Sequence, residues 1–167
     1  MEAPEKRSFA PLVNAGSRVL VLGTLPGEES LRRAEYYAHP RNLFWPIVFA
    51  LFEAASLSDY AARLAFAAAH GIGLWDVVAA GRREASADAT IRGEQPNAIP
   101  ALLDRHPLIR AVAFNGGGAE RLYDRHFGRR PGLAYLSLPS TSPAHARLDL
   151  PQKLARWQAL LAVLAAD

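Results

Sequence analysis

The 167-residue chain contains no cysteine, and it has only one methionine. Without cysteine it cannot form disulfides, use a thiolate nucleophile or hold an iron–sulfur cluster. It also lacks long hydrophobic runs, since "LLAVLAA" near the C-terminus is far shorter than the roughly 20 residues that a membrane-spanning helix needs. The N-terminal segment has no basic stretch followed by an apolar one, so we expect no signal peptide and a cytoplasmic protein without membrane contact.

The charge of the chain is only weakly informative. Lysine and arginine outnumber acidic residues by three, and the sequence pI is about 9.6, which suits a polyanionic partner without demanding one. Half of the residues are hydrophobic, which is enough for a real core. The length is that of one compact domain, so we expect residues 1–167 to form a single domain.

Apolar runs alternate with helical patterns along the chain. Buried strands are predicted in 18–23, 72–78, 108–117 and 133–138, and helices over 42–55, 57–71, 97–107, 118–127 and 150–166. Ser58 is the expected N-cap of the second of these helices. The polar, turn-rich stretch Gly81–Asn97 is predicted to be a surface loop. This order indicates an α/β layer sandwich with a mostly parallel sheet, whose ligand should lie at the carboxyl ends of the strands.

The segments that follow the strands are rich in small and polar residues. "GTLPGEES" matches neither the P-loop nor G-x-G-x-x-G, so it is either a turn whose N–H groups face a ligand or a purely structural turn. "FNGGG" allows close approach of another backbone. "LPSTSPAHA" favours a stiff loop whose hydroxyls contact phosphates. A Ser-His-Asp hydrolase is disfavoured because no G-x-S-x-G is present, and no histidine pair has helical metal-site spacing.

Four blocks together resemble a known family. "VLVLGTLPGEESLRRAEYYAHPRNLFW", "GLWDVV", "AFNGGGAERLY" and "LPSTSPAHA" follow the order and spacing of the uracil-DNA glycosylase superfamily, and within it they look like the hypoxanthine (deoxyinosine) DNA glycosylase branch. The resemblance runs from about Val19 to about Ala146. It implies a three-layer α/β sandwich with a central, mostly parallel four-stranded sheet. It also implies hydrolysis of the N-glycosidic bond of a deaminated base flipped out of damaged DNA, by a monomer without a cofactor.

Residue roles follow from the same resemblance. Asn42 of "HPRN" is the implied catalytic residue. Phe44 would be the stacking wall under the base, Gly27 would leave room for a purine, and Asp76 would read the base edge. The implied base-binding set is Thr24, Leu25, Gly27, Phe44, Asp76 and Asn115, with the backbone of Thr24 and Leu25 facing the base. The implied DNA-binding set is Arg41, Ser140, Thr141, Ser142 and Arg147, with Ser142 where some relatives insert a wedge.

Two departures from the family pattern keep alternatives open. Superfamily members with strong uracil activity carry Asp or Asn where this chain has Leu25, and often His where it has Leu138. Asn42 could supply the missing polar group by positioning water or contacting the base, but it could equally be a helix N-cap. The alternatives are a uracil (G·U mismatch) glycosylase and a non-catalytic nucleic-acid-binding module. Lys6 and Lys153 lie outside the matching blocks, so no lyase activity is expected.

Overall fold

The computed structural model describes residues 3–84 and 87–166. A 3-10 turn spans Asp88–Thr90. The strands are β1 (Glu5–Arg7), β2 (Val19–Gly23), β3 (Ile72–Asp76), β4 (Val78–Arg82), β5 (Arg92–Pro96), β6 (Ala111–Asn115) and β7 (Ala134–Leu138). The helices are α1 (Glu28–Arg33), α2 (Phe44–Leu51), α3 (Tyr60–Ala69), α4 (Ile99–Arg105), α5 (Gly117–His126), α6 (Leu150–Trp157) and α7 (Ala159–Ala165).

A four-stranded sheet in the order β3-β2-β6-β7 lies at the centre of the fold, and all of its pairs are parallel. The predicted α/β class and central four-stranded sheet are therefore confirmed. Strand β2 reads as a continuous apolar run because every one of its residues is buried, as expected when helices cover both faces of a parallel sheet. Its register sets Gly23 opposite Asp76, so the ends of β2 and β3 are level.

The two faces of β2 belong to two separate cores. Val19 and Val21 pack with residues of α2, α3, α6 and α7, including the fully buried Trp157. Leu20 and Leu22 pack on the other side with residues of α4 and α5. This alternation is the two-residue period of a strand, and it gives the three layers of the predicted sandwich.

The predicted surface loop Gly81–Asn97 is wrong in most of the residues that the structure describes; residues 85 and 86 lie outside them. Strand β4 continues to Arg82, and β5 follows at Arg92–Pro96, so the two form an antiparallel pair with β1 on the outer side of β4. The sequence "RGEQP" of β5 gives no strand signal because it is a polar edge strand with mostly exposed residues. We call residues 78–84 and 87–96 the β4–β5 hairpin.

Two helix boundaries also differ from expectation. The N-cap of α3 is Asp59 and not Ser58, because the Asp59 carboxylate accepts from the N–H of Ala62 at 3.0 Å. The predicted terminal helix is divided at Gln158 into α6 and α7.

None of the helices in the described part of the chain is both long and apolar enough to span a bilayer.

Candidate active site

A cavity of about 430 Å³ opens at the carboxyl ends of the parallel strands, within the range of roughly 300–1,000 Å³ that is typical of small-molecule sites. The structure brings most of the sequence-predicted residues to its wall: Thr24, Leu25, Gly27, Asn42, Asp76, Asn115, Ser140, Thr141 and Ser142. Phe44 does not line it, and neither do Arg41 and Arg147, which are exposed. The carboxyl edge of the sheet is therefore where the predicted site is assembled.

Within residues 3–84 and 87–166, two buried polar atoms of residues that line this cavity have no hydrogen-bond partner: the hydroxyl oxygen of Tyr37 and Oδ2 of Asp76. The two side chains are neighbours, since a Cβ added to Gly23 would stand 2.7 Å from Asp76 Oδ1 and 3.5 Å from the Tyr37 hydroxyl. Glycine at the end of β2 thus leaves the space that both groups occupy. Buried polar groups are normally satisfied, so two unpaired neighbours in one cavity indicate a place for a polar ligand.

Burial dominates the titration of both groups. It raises the pKa of Asp76 to about 7, while the positive charge of Arg83 opposes this rise and the negative charge of Asp88 adds to it. Burial also raises the pKa of Tyr37 well above the ordinary tyrosine range, the Asp76 charge acts in the same direction, and an interaction with the Asn115 side chain opposes the rise. The cavity therefore offers a hydroxyl that stays protonated beside a carboxyl that changes charge near neutral pH.

Tyr37, and not Phe44, presents an aromatic ring to the cavity. Phe44 is fully buried, and the Tyr37 ring stacks on it with centroids 4.1 Å apart and planes at 22°. The Tyr37 ring thus stands between Phe44 and the cavity, and Phe44 cannot be the stacking surface. Tyr37 also has a left-handed backbone with φ of 58°, which is rare for a bulky residue and concentrates at functional sites.

Asn42 is not the N-cap of α2, which is Leu43, but its side chain still bonds to the start of that helix. Its Oδ1 accepts from the N–H of Phe44 at 2.9 Å, which ties the side chain to the first turn of α2. The residue also lines the cavity. Because the oxygen is held by the backbone, the amide N–H groups are what Asn42 can offer to a ligand. Hydrogen-bond donation to a base or to the departing negative charge is therefore favoured over acceptance from water.

Asn115 fastens the last loop to the sheet. Its Nδ2 donates to the Thr141 hydroxyl at 3.0 Å, and its Oδ1 accepts from the Thr141 N–H at 2.9 Å. The Thr141 carbonyl in turn accepts from the N–H of Leu43, next to the start of α2. Asn115 is 9% exposed, so its main visible role is to position the last loop against the strand ends.

The last loop, residues 139–147, is also held from behind by α6. Trp157 donates from its indole to the Pro139 carbonyl, and Lys153 donates to the His145 carbonyl at 2.6 Å. Gly116 has φ of 96°, and a Cβ there would stand 2.9 Å from Ser140, so only glycine permits this approach. Ser140 and Ser142 therefore sit on a loop with a fixed shape at the cavity mouth.

Two carbonyl groups of the first loop, residues 23–27, bond to the β4–β5 hairpin. The carbonyl of Thr24 accepts from the Val78 N–H at 3.0 Å, and that of Leu25 accepts from Arg83 at 2.9 Å. The side chain of Thr24 donates to Asp88. These carbonyls bond to the β4–β5 hairpin, so they are not available to a base.

Sequence reasoning missed further cavity residues, among them Tyr37, His39, Arg83 and Asp88. His39 accepts from the Arg41 N–H through Nδ1 at 3.0 Å. Tyr37 and His39 belong to "YYAHPRN", whose density of polar side chains before an apolar helix was a usable signal. Arg83 and Asp88 come from the hairpin mistaken for a loop, and no local pattern distinguishes them from other charged surface residues.

Other predicted features have a plain placement. Leu138 is buried in the core at the end of β7, so no polar group stands at that position. Among residues 3–84 and 87–166, no cluster of three or more His, Asp or Glu side chains is arranged to hold a metal ion. The two lysines do not line the cavity.

Comparison with known proteins agrees with this geometry. The family model for the uracil DNA glycosylase superfamily matches residues 10–161, and the chain belongs to that superfamily. Within it, a protein from Methanosarcina acetivorans named hypoxanthine DNA glycosylase is 35% identical over 156 residues, covering 93% of this chain and 97% of the relative. A protein of the same name from Methanosarcina barkeri is 38% identical over 113 residues, covering 67% of this chain and 72% of the relative.

A solved structure extends the similarity to three dimensions. The solution NMR structure of a candidate uracil DNA glycosylase from Methanosarcina acetivorans superposes with a TM-score of 0.81 at 32% sequence identity. The match covers 98% of this chain and all of that one. The superfamily predicted from the four sequence blocks is confirmed.

Proposed function

We propose that this protein is a monofunctional DNA glycosylase that removes hypoxanthine from DNA by hydrolysing the N-glycosidic bond of deoxyinosine. The observation that carries the proposal is the pair of unpaired polar groups, Tyr37 and Asp76, in the cavity of a superfamily member. Two relatives with 35% and 38% identity are named hypoxanthine DNA glycosylase, and the chemistry of the cavity suits that substrate.

The edge of hypoxanthine presents an N1–H donor next to the O6 acceptor. An ionised Asp76 accepts from N1–H, and the Tyr37 hydroxyl donates to O6. Adenine presents the reverse pattern, with an acceptor at N1 and a donor at N6, and would leave the pair mismatched. The same two groups would also bind uracil, with Asp76 accepting from N3–H and Tyr37 donating to O4. The size of the cavity, and not its polar edge, must therefore separate purine from pyrimidine. Gly27 supports a purine because it has no side chain to narrow the wall.

The reaction uses one water molecule. The bond between the sugar C1′ and the base N9 breaks, the base leaves with the electron pair, and water adds to C1′ while its proton goes to the departing base. Asn42 donates a hydrogen bond to the base as negative charge develops, which is the kind of preorganised stabilisation that lowers such barriers. Packing of the Tyr37 ring on Phe44 holds the hydroxyl in place for its bond to O6.

DNA would approach over the last loop. Ser140 and Ser142 line the cavity. Arg147 is in the same loop and Arg41 directly precedes Asn42; both arginines are exposed and suited to phosphates. Neither lysine is placed to attack the sugar: Lys153 is buried against the His145 carbonyl, and Lys6 pairs with Glu28 at 3.9 Å. The enzyme would therefore leave an intact abasic site, and we propose that it works as a cytoplasmic monomer without a cofactor.

The test is incubation with end-labelled duplexes that carry one inosine, one xanthine or one uracil, followed by alkaline cleavage. We expect strand scission at inosine only after alkali, because a glycosylase without lyase activity leaves an unbroken backbone. Cleavage of the uracil duplex alone would establish the uracil glycosylase instead. If every duplex stays intact while the protein still binds DNA, the protein is the non-catalytic nucleic-acid-binding module instead.

A further inference from the structure

Arg83 is a buried arginine that hydrogen-bonds to residues of the cavity wall. The side chain of Arg83 is 1% exposed. Its Nη1 donates to the Leu25 carbonyl at 2.9 Å and to Asp88 Oδ1 at 3.0 Å, and its Nη2 donates to the Pro26 carbonyl at 2.5 Å. Each of these partners lines the cavity, as Arg83 itself does.

A second residue of the hairpin completes the arrangement. Asp88 Oδ1 receives the Arg83 guanidinium and also accepts from the Thr24 hydroxyl at 2.8 Å. Two side chains of the β4–β5 hairpin therefore hydrogen-bond to three consecutive residues of the first loop, 24, 25 and 26. Without these bonds the first loop would be held on this side by its backbone bonds to Val77 and Val78.

We propose that Arg83 is a positioning residue of this cavity, which fixes the first loop against the bound base. A buried ion pair is weak evidence of a stabilising role, because desolvation of the two charges offsets much of their attraction. The guanidinium fork is suited to holding two adjacent carbonyls in a defined geometry, which lysine cannot reproduce. This inference rests on the proposed function.

Two opposed charges of the same pair act on Asp76. The Arg83 charge lowers the pKa of Asp76, and the Asp88 charge raises it. The other titratable groups that interact with Asp76 are the hydroxyls of Tyr36 and Tyr37, whose own pKa values are raised far above neutrality and so do not change charge in this range. Removing either Arg83 or Asp88 should therefore shift the titration of Asp76, in opposite directions.

The experiment measures single-turnover excision from a saturating inosine duplex between pH 5.5 and 9. With the carboxylate as the active form, the wild-type rate should rise with pH through the titration of Asp76. In Arg83→Met the midpoint should move to higher pH, and the limiting rate should fall by about 10- to 100-fold because the loop is misplaced. In Asp88→Asn the midpoint should move to lower pH.

Arg83→Lys separates charge from geometry. It keeps the positive charge, so it should keep the wild-type midpoint while losing rate. Arg130→Met is the matched control, since Arg130 also donates to a backbone carbonyl, that of Pro100, and pairs with a carboxylate, Asp104, but does not line the cavity. It should retain both the rate and the midpoint of the wild type.

Three results decide the matter. Variants of Arg83 and Asp88 that melt earlier but show the wild-type rate and midpoint when folded would overturn the proposal, because that is the signature of a purely structural pair. If Arg83→Met does not fold, the opposite midpoint shift in Asp88→Asn and the unshifted midpoint in Arg83→Lys still test it. A wild-type protein that excises no hypoxanthine would instead overturn the proposed function, and NMR titration of the Asp76 carboxyl in the same variants would then test the charge coupling alone.

Discussion

Two polar clusters in this protein sit beside aromatic rings, and they are built in opposite ways. Between α5 and β7, the Arg129 guanidinium bonds to both Glu120 and Asp124, and it stacks over Phe114 and Tyr135 at 5.4 and 5.1 Å. In the cavity, the Tyr37 hydroxyl and one Asp76 oxygen have no partner. The guanidinium of the first cluster has carboxylate partners, whereas two polar atoms of the second have no partner among the described residues.

The difference shows what distinguishes a structural network from a binding site. A buried polar atom without a partner destabilises the folded state by about 1–3 kcal/mol, so it persists where a ligand completes it. A third such atom, His126 Nε2, lies 3.6 Å from a Glu94 oxygen, and so it has a charged neighbour within the chain. In the part of the chain that the structure describes, only the Tyr37 and Asp76 pair combines missing partners with an adjoining cavity and a left-handed backbone at Tyr37.

The largest effect is expected from the ring behind the cavity. Phe44→Ala empties a fully buried site, and it should lower the free energy of unfolding by about 3–5 kcal/mol. Tyr37→Ala should instead weaken binding of a flipped base by about 1–3 kcal/mol, because the base oxygen then loses its hydrogen-bond donor in a buried site. Chemical denaturation and single-turnover kinetics on both variants separate the roles. A stable Phe44→Ala variant with lost excision would return the stacking role to Phe44.

Asn42 should carry the largest effect on the chemical step. Asn42→Ala removes a preorganised donor, and it should lower single-turnover excision of hypoxanthine by a factor on the order of 10²–10³ with little change in DNA affinity. Loss of the bond to the Phe44 N–H should cost only about 1 kcal/mol of stability. The comparison needs the melting temperature and the rate on a saturated inosine duplex. A wild-type rate would mean that Asn42 only supports the start of α2 through its bond to the Phe44 N–H.

Asp76→Asn should make the protein more stable and less active at the same time. Because burial raises the pKa of Asp76 to about 7 in the folded state, its contribution to stability is full below the unfolded pKa and is lost as pH rises through about 7. The variant should therefore exceed the wild type by about 1–3 kcal/mol at pH 8, and the gap should shrink toward pH 5. Thermal unfolding at several pH values measures it. An unchanged gap would mean that Asp76 does not carry a buried charge.

The smallest effect belongs to the completed cluster. Arg129→Met should lower stability by less than about 1 kcal/mol, because the side chain of Arg129 is 39% exposed and water screens its ion pairs. Its excision rate and pH profile should equal those of the wild type, since the residue does not line the cavity. Kinetics across the same pH range provide the check. A shifted pH profile in this variant would remove the contrast between the two clusters.

The sequence predicted the parts of this structure that depend on strong local patterns. Strands β2, β3 and β6 were predicted from nearly continuous apolar runs. The blocks "HPRN" and "GLWD" predicted Asn42 and Asp76 as site residues, and both line the cavity. The polar edge strand β5 gave no such pattern, so the hairpin and its buried Arg83 were missed. The choice between Phe44 and Tyr37 depended on which ring packs behind the other, and that order is a property of tertiary packing.

The most direct measurement of the central claim is the affinity for a duplex that carries 2′-fluoro-2′-deoxyinosine, in which the fluorine slows cleavage of the glycosidic bond. If the unpaired groups await a deaminated base, the wild type should bind this duplex more tightly than an undamaged one. Asp76→Asn and Tyr37→Phe should each reduce that preference while leaving affinity for undamaged DNA unchanged. Equal affinity of the wild type for both duplexes would contradict the account.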